Sequence, residues 1–171
     1  MANVNAIEYP PYYEPYVQLV GFKNLFNSLE SSINELLQYC NKLSNQQGLF
    51  KYAAGKWSIK EITQHLIDVE RIFCYRALSI SRGDTAFKSF DHNQYVISCN
   101  ADYRPLTDLL KEIEIVRKST IQLFNSFDTS MLQKTGFIEN NNITANAIGF
   151  IIAGHQLHHT KIIKDRYLSV L

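Results

Sequence analysis

The sequence predicts an all-α fold, a four-helix bundle, on three observations. Apolar residues recur at three- and four-residue steps through four long stretches. No stretch shows a convincing period of two; Phe137-Ile138 is at most a brief extended piece. The chain has 171 residues, 46% hydrophobic and 19% charged, which is one domain's worth of sequence and enough to bury a core unaided. Some connections are long enough to cross the bundle, so a simple up-down order does not follow from the pattern alone.

Residues 1–16 hold Tyr9, Tyr12, Tyr13 and Tyr16 among three prolines and are expected to form an extended arm across the body of a single domain spanning 1–171. The first helix is expected from Tyr16 to about Ser44, on Val17, Val20, Leu25, Leu29, Ile33, Leu36 and Leu37. Asn45 to Trp57, with Gly48 and Gly55, breaks that pattern. Ser58 then stands three residues before Glu61, the spacing of a capping box, and opens a second helix that stops near Arg82-Gly83-Asp84. A short helix fits Asp91 to Cys99. Pro105 suits the first turn of a third long helix carrying Leu106, Leu109, Leu110, Ile113, Val116 and Phe124. After a polar stretch from Thr135 to Asn142, Thr144 precedes a fourth helix reaching about Tyr167, with Ile148, Ile152, His155, His159 and Ile162 on one stripe.

Composition excludes several function classes. Lys+Arg is 17 and Asp+Glu is 16, a net charge of +1, which argues against nucleic acid as the main partner. No run approaches the 18 apolar residues that crossing a membrane takes, and the N-terminus does not read as a secretory signal. Cys40, Cys74 and Cys99 are odd in number and form no CxxC, so free thiols in a reducing cytoplasm are expected. There is no Gly-rich phosphate loop and no GxSxG.

Histidines carry the chemical signal. His155 and His159 are one turn apart on the inward stripe of the last helix, and His65 borders the stripe of the second. Two imidazoles from one helix and one from another can converge on an ion and leave a coordination position open, the arrangement of a catalytic metal site. An ion would also give each buried imidazole a partner. The competing reading is three packed, hydrogen-bonded histidines. His158 competes with His159 by spacing, and His92 is expected at the surface. Asp68 and Glu70, three and five residues past His65, are candidates for a general base or for orienting an imidazole; the alternative is a solvated helix face. Arg76, Arg82, Asp84, Asp91 and Tyr95 surround the irregular segment after the second helix, either as an anion-binding mouth with Arg76 or Arg82 or as an ion-paired latch.

The run Lys56-Trp57-Ser58-Ile59-Lys60-Glu61-Ile62, His65-Leu66-Ile67-Asp68-Val69-Glu70-Arg71, Tyr75-Arg76-Ala77 and Arg82-Gly83-Asp84 resembles the second helix of the DinB-like (DinB/YfiT) superfamily. Phe90-Asp91, Tyr95 and Ala153-Gly154-His155-Gln156-Leu157-His158-His159-Thr160 resemble its loop and last helix, so the likeness spans about residues 17 to 167. The resemblance implies a four-helix bundle with a crossed connection, often a homodimer, and zinc or nickel on three histidines, matching His65, His155 and His159 here. It also implies a small-molecule substrate, since members are described as metal-dependent hydrolases or as transferases and isomerases of bacillithiol, mycothiol or glutathione. The leading expectation is therefore metal-dependent transfer of a low-molecular-weight thiol, with Arg76 or Arg82 holding a carboxylate of that cosubstrate. The alternatives are hydrolysis with Asp68 or Glu70 as base, and a non-catalytic metal- or ligand-binding stress protein.

Overall fold

The computed structural model describes residues 4–138 and 141–171. Seven helices and three short strands occur among them: α1 (Glu14–Val20), α2 (Leu25–Cys40), α3 (Ile59–Arg82), β1 (Ala86–Phe87), α4 (His92–Ser98), α5 (Leu106–Asn125), α6 (Thr129–Gln133), β2 (Thr135–Ile138), β3 (Asn141–Thr144) and α7 (Ala145–Ile162), the last continuing as a π-helical turn to Tyr167. None of the helices is long and apolar enough to cross a membrane.

The four long helices are α2, α3, α5 and α7. Each begins where the local chemistry satisfies its free N–H groups. Ser58 accepts from the Glu61 N–H while Glu61 Oε2 accepts from the Ser58 N–H at 2.6 Å, closing the capping box of α3. Asn24 caps α2, Thr144 caps α7 and Asp91 caps the short α4 by side-chain oxygens alone, and at the start of α5 the Leu106 N–H donates to Asn45 Oδ1 at 3.0 Å. Gly83, at φ +107°, ends α3 in the left-handed region that side chains avoid.

The first predicted helix is in fact two. Gly21 takes φ +67°, which breaks the chain between α1 and α2. The arm is also less extended than expected: it forms two 3₁₀ turns, Ala6–Glu8 and Pro11–Tyr13, and is already helical from Glu14. The polar stretch from Thr135, where the sequence offers at most a brief extended piece at Phe137-Ile138, forms β2 and begins β3, an antiparallel pair, and β1 joins β2 in parallel to complete a three-stranded sheet.

Each long helix packs on two others. α2 contacts α7 and α5, and α3 contacts α5 and α7. The helices consecutive in sequence, α2 with α3 and α5 with α7, therefore lie across the diagonals of the bundle, and their connections cross it. The apolar core is divided into two clusters, one around Leu25, Leu29, Phe73, Ile80, Phe124 and Ile148, the other around Leu36, Ile59, Ile67, Leu109, Ile113 and Tyr167. Between them lies a layer of buried polar groups. Arg117 donates Nε and Nη2 to the two oxygens of Glu70 at 2.8 and 2.9 Å, and Nη1 to the carbonyl of Leu29 and the hydroxyl of Ser32. Thr120 donates to Glu70, and Ser32 meets the Gln156 Oε1. This one network touches all four long helices.

Candidate functional site

On the α3–α7 side of the same polar layer, three imidazoles converge. His65 Nε2 lies 3.2 Å from His155 Nε2, and His159 Nε2 lies 3.1 Å from His155 Nε2. One ring nitrogen from each residue falls within 4.8 Å of the other two. Helix geometry explains the meeting: His155 and His159 are one turn apart on α7, and α3 is its neighbour. Two nitrogens bound to one ion at 2.0–2.1 Å stand about 3.3 Å apart in a tetrahedron, so the set fits a single divalent ion with little movement.

Its electrostatics point the same way. Burial pushes the His65 imidazole down to about 3, with repulsion from His92 adding to the effect. Burial holds His155 and His159 well below their ordinary value, and each is pushed further by its histidine neighbours. All three are neutral at pH 7, the form that ligates metals. Mutually facing Nε2 atoms also cannot all be paired by the protons of neutral rings, whereas an ion serves all three.

The site opens into a cavity of about 460 Å³. Trp57, the residue before the α3 cap, packs its ring 4.8 Å from His65 and nearly parallel to His159 at 6.3 Å. Tyr16 on α1 meets His155 and His158 edge-on, each at 5.3 Å. His92, the first residue of α4, is exposed as expected but stands at the cavity mouth, 5.9 Å from the His65 ring. Tyr12, Tyr13, Phe73 and Phe90 complete an aromatic lining, and among the described residues no carboxylate lines it.

The remaining site candidates separate by their angle on α3, at about 100° per residue. Arg76 returns to within about 20° of His65 and lines the same cavity, its guanidinium over the Phe73 and Phe90 rings at 5.5 and 5.6 Å and its Nη2 donating to the Lys88 carbonyl at 2.7 Å. Arg82 is turned about 100° away; it is exposed, donates to Ser81, lies over the Phe127 ring and does not line the cavity. Glu70 is turned about 140° from His65 and is spent in the buried pair with Arg117. Asp68 accepts from Gln64 Nε2 at 2.8 Å and lines a separate, shallower depression with Arg71, Arg104 and Cys99; burial raises its pKa against the opposing hydrogen bond. Asp91 is occupied as the α4 cap.

Sequence reasoning singled out the three histidines and Arg76 but passed over the aromatic lining. The dense tyrosines of residues 9–16 were its signal, as was a tryptophan immediately before a helix cap.

Comparison with known proteins agrees with this architecture. A model of the DinB superfamily matches residues 28–163. No curated protein matches the sequence. Among solved structures, the chain is similar to YfiT from Bacillus subtilis, described as "a probable metal-dependent hydrolase with an unusual four-helix bundle topology". The similarity covers 92% of this chain and 87% of that one, at 15% identity and a TM-score of 0.73, and the two share the fold.

Proposed function

Because the chain belongs to the DinB superfamily, we propose that His65, His155 and His159 hold a divalent ion and that the protein uses it to activate a small molecule, most fittingly in the transfer of a low-molecular-weight thiol to an electrophile. A divalent ion on three imidazoles supplies Lewis acidity, which favours the anion of a bound thiol or of water at neutral pH. Three neutral nitrogens suit zinc and nickel alike.

Three histidines that meet beside one cavity carry this reading, and the preference for transfer over hydrolysis comes from the likeness to thiol-dependent members of the family. Hydrolysis needs a base for the proton of the attacking water, a task open to His92 or His158, which line the cavity, and not to Asp68 or Glu70. Both carboxylates that follow His65 on α3 are committed elsewhere, Glu70 to Arg117 and Asp68 to the neighbouring depression. A thiol has one proton to lose and needs no such residue once it is gone. Within this reading Trp57 fixes the His65 and His159 rings, Tyr16 closes the side of His155, and Arg76 lines the same cavity.

Metal content by elemental mass spectrometry is the first test. Tag-free protein loaded with zinc or nickel should hold near one equivalent per chain, and His155→Ala should lose it. Activity then separates the chemistries. With 1-chloro-2,4-dinitrobenzene the sulfur forms a C–S bond, chloride leaves with its electron pair and the thiol proton passes to solvent. Conjugation that requires both added thiol and His155 supports transfer. Ester hydrolysis that proceeds without thiol and needs His155 overturns transfer in favour of hydrolysis, and absence of metal from the loaded wild type overturns both.

A further inference from the structure

The arm and α1 lie outside the four-helix bundle, yet they are fixed tightly to the site. Glu8 accepts from Thr144 Oγ1 and Asn146 Nδ2 at the start of α7, at 2.8 and 3.2 Å. The Tyr9 hydroxyl donates to Glu14 at 2.8 Å. Further along, the carbonyl of Tyr16 rests on Gly154 so closely that a Cβ there would fall 2.0 Å from it, one residue before the ligand His155. Anchored in this way, the segment turns three rings to the cavity. Tyr12 meets Tyr13 edge-on at 5.2 Å and Tyr16 at 6.4 Å, and Tyr13 meets Phe73 at 6.0 Å. Tyr12 is 70% exposed, so it contributes little to the core while it lines the mouth.

Aromatic walls held rigid before the ligand arrives favour a ligand that presents a flat π-surface, because offset and edge-on ring contacts are available at little ordering cost. A purely aliphatic ligand would fill the same volume without those contacts. We propose that residues Tyr12 to Tyr16 are the specificity-determining wall of this cavity, taking a planar, aromatic or conjugated part of the substrate while its metal-binding end lies at the three histidines. This rests on the metal reading above and extends it to the class of molecule bound.

The test keeps the metal-binding group constant and varies what is attached to it. Acetohydroxamate, cyclohexanecarbohydroxamate and benzohydroxamate are titrated into cobalt-loaded protein, with binding read from the cobalt absorption bands rather than from turnover. Wild type should bind benzohydroxamate about 3- to 10-fold more tightly than either aliphatic probe. That preference should shrink towards unity in Tyr16→Leu and Tyr12→Ala, while acetohydroxamate affinity changes little. The Tyr12 variant keeps the test valid if Tyr16→Leu fails to fold, since Tyr12 is largely exposed. Equal affinity for the three probes in wild type, or a preference that survives in every folded variant, overturns the proposal although the metal reading stands. Failure of wild type to take up cobalt overturns the metal reading and this inference together.

Discussion

Replacing Gly154 with alanine places a methyl group where the backbone of α1 already lies. The ideal Cβ would sit 2.0 Å from the Tyr16 carbonyl oxygen, 2.5 Å from its carbon and 3.1 Å from its Cα. A carbon–oxygen contact relaxes at about 3.3 Å, so α1 must retreat by about 1.3 Å. No side-chain rotation can relieve the clash, because the atoms on both sides are main chain. Overpacking costs about 1–3 kcal/mol, and a main-chain clash this close takes the upper half of that range, about 2–3 kcal/mol, against which alanine returns up to about 1 kcal/mol of helix propensity. The net expectation is a loss of about 1–2 kcal/mol, or about 2–8 °C in Tm for a chain of this length. Calorimetry measures it. The displacement should also move the Tyr16 ring from His155 and His158, so the preference for benzohydroxamate should weaken in the same variant. Gly149→Ala is the control: its Cβ would meet the side chains of Leu25 and Phe124 in the core, away from the cavity, and should lower Tm while leaving probe preference intact. A Gly154→Ala protein with unchanged or higher Tm and unchanged preference would show that α1 does not pack on α7 in this way, and would remove the basis for assigning the arm to the site.

Two other predictions test the scaffold. Glu70→Gln leaves Arg117, 1% exposed, without its charged partner, and should cost about 3–5 kcal/mol, or about 6–20 °C in Tm; one metal per chain should persist in the cold, and a Tm within about 2 °C of wild type would refute a structural role for the pair. The cysteines give a pH dependence. Burial pushes Cys40 and Cys74 up to about 12 and raises Cys99, so Ellman's reagent at pH 8 should react slowly with folded protein and with three thiols after unfolding. A thiol whose pKa is higher folded than unfolded favours the fold fully below about pH 8.5 and loses that contribution as pH rises towards the folded value. The fall in Tm between pH 8 and pH 10.5 should therefore be smaller in Cys40→Ala than in wild type, and equal falls would refute it.

What could be read from the sequence was what is local along one helix. The start of α3 follows from Ser58 and Glu61 alone, because both halves of a capping box are three residues apart. The inward pair His155 and His159 follows from a four-residue step. Arg76 could be placed near His65 by the same arithmetic that turns Glu70 and Arg82 away from it, but only once α3 was known to run unbroken from Ile59 to Arg82. Strands were out of reach for a different reason. β2 has four residues and pairs in parallel with Ala86 and Phe87, some fifty positions earlier, so its existence depends on a tertiary contact. The break at Gly21 leaves only a faint mark on the periodicity, a single five-residue step from Val20 to Leu25 where the helical steps are three and four.

The crossing of the bundle is what makes the site possible in its observed form. In a simple up-down bundle the second and fourth helices lie on a diagonal, and imidazoles from them could meet only in the closed centre. Here both long connections cross, so α3 and α7 are neighbours. His65 and His155, both buried, then meet at 3.2 Å in the groove between two helices, beside the cavity. The opposite side of the same layer, where Arg117 and Glu70 join α5 to α3 and α2, is filled by buried hydrogen bonds and offers no room. A site in a groove has a floor but no walls. The chain supplies them from outside the four long helices: Tyr12 to Tyr16 before α2, Trp57 at the end of the first crossing, Phe90 between β1 and α4, and His92 at the start of α4. On the proposed reading, substrate selectivity lies with segments outside the four long helices. Changes in the arm should alter which molecule binds, and changes in the histidines whether any metal does.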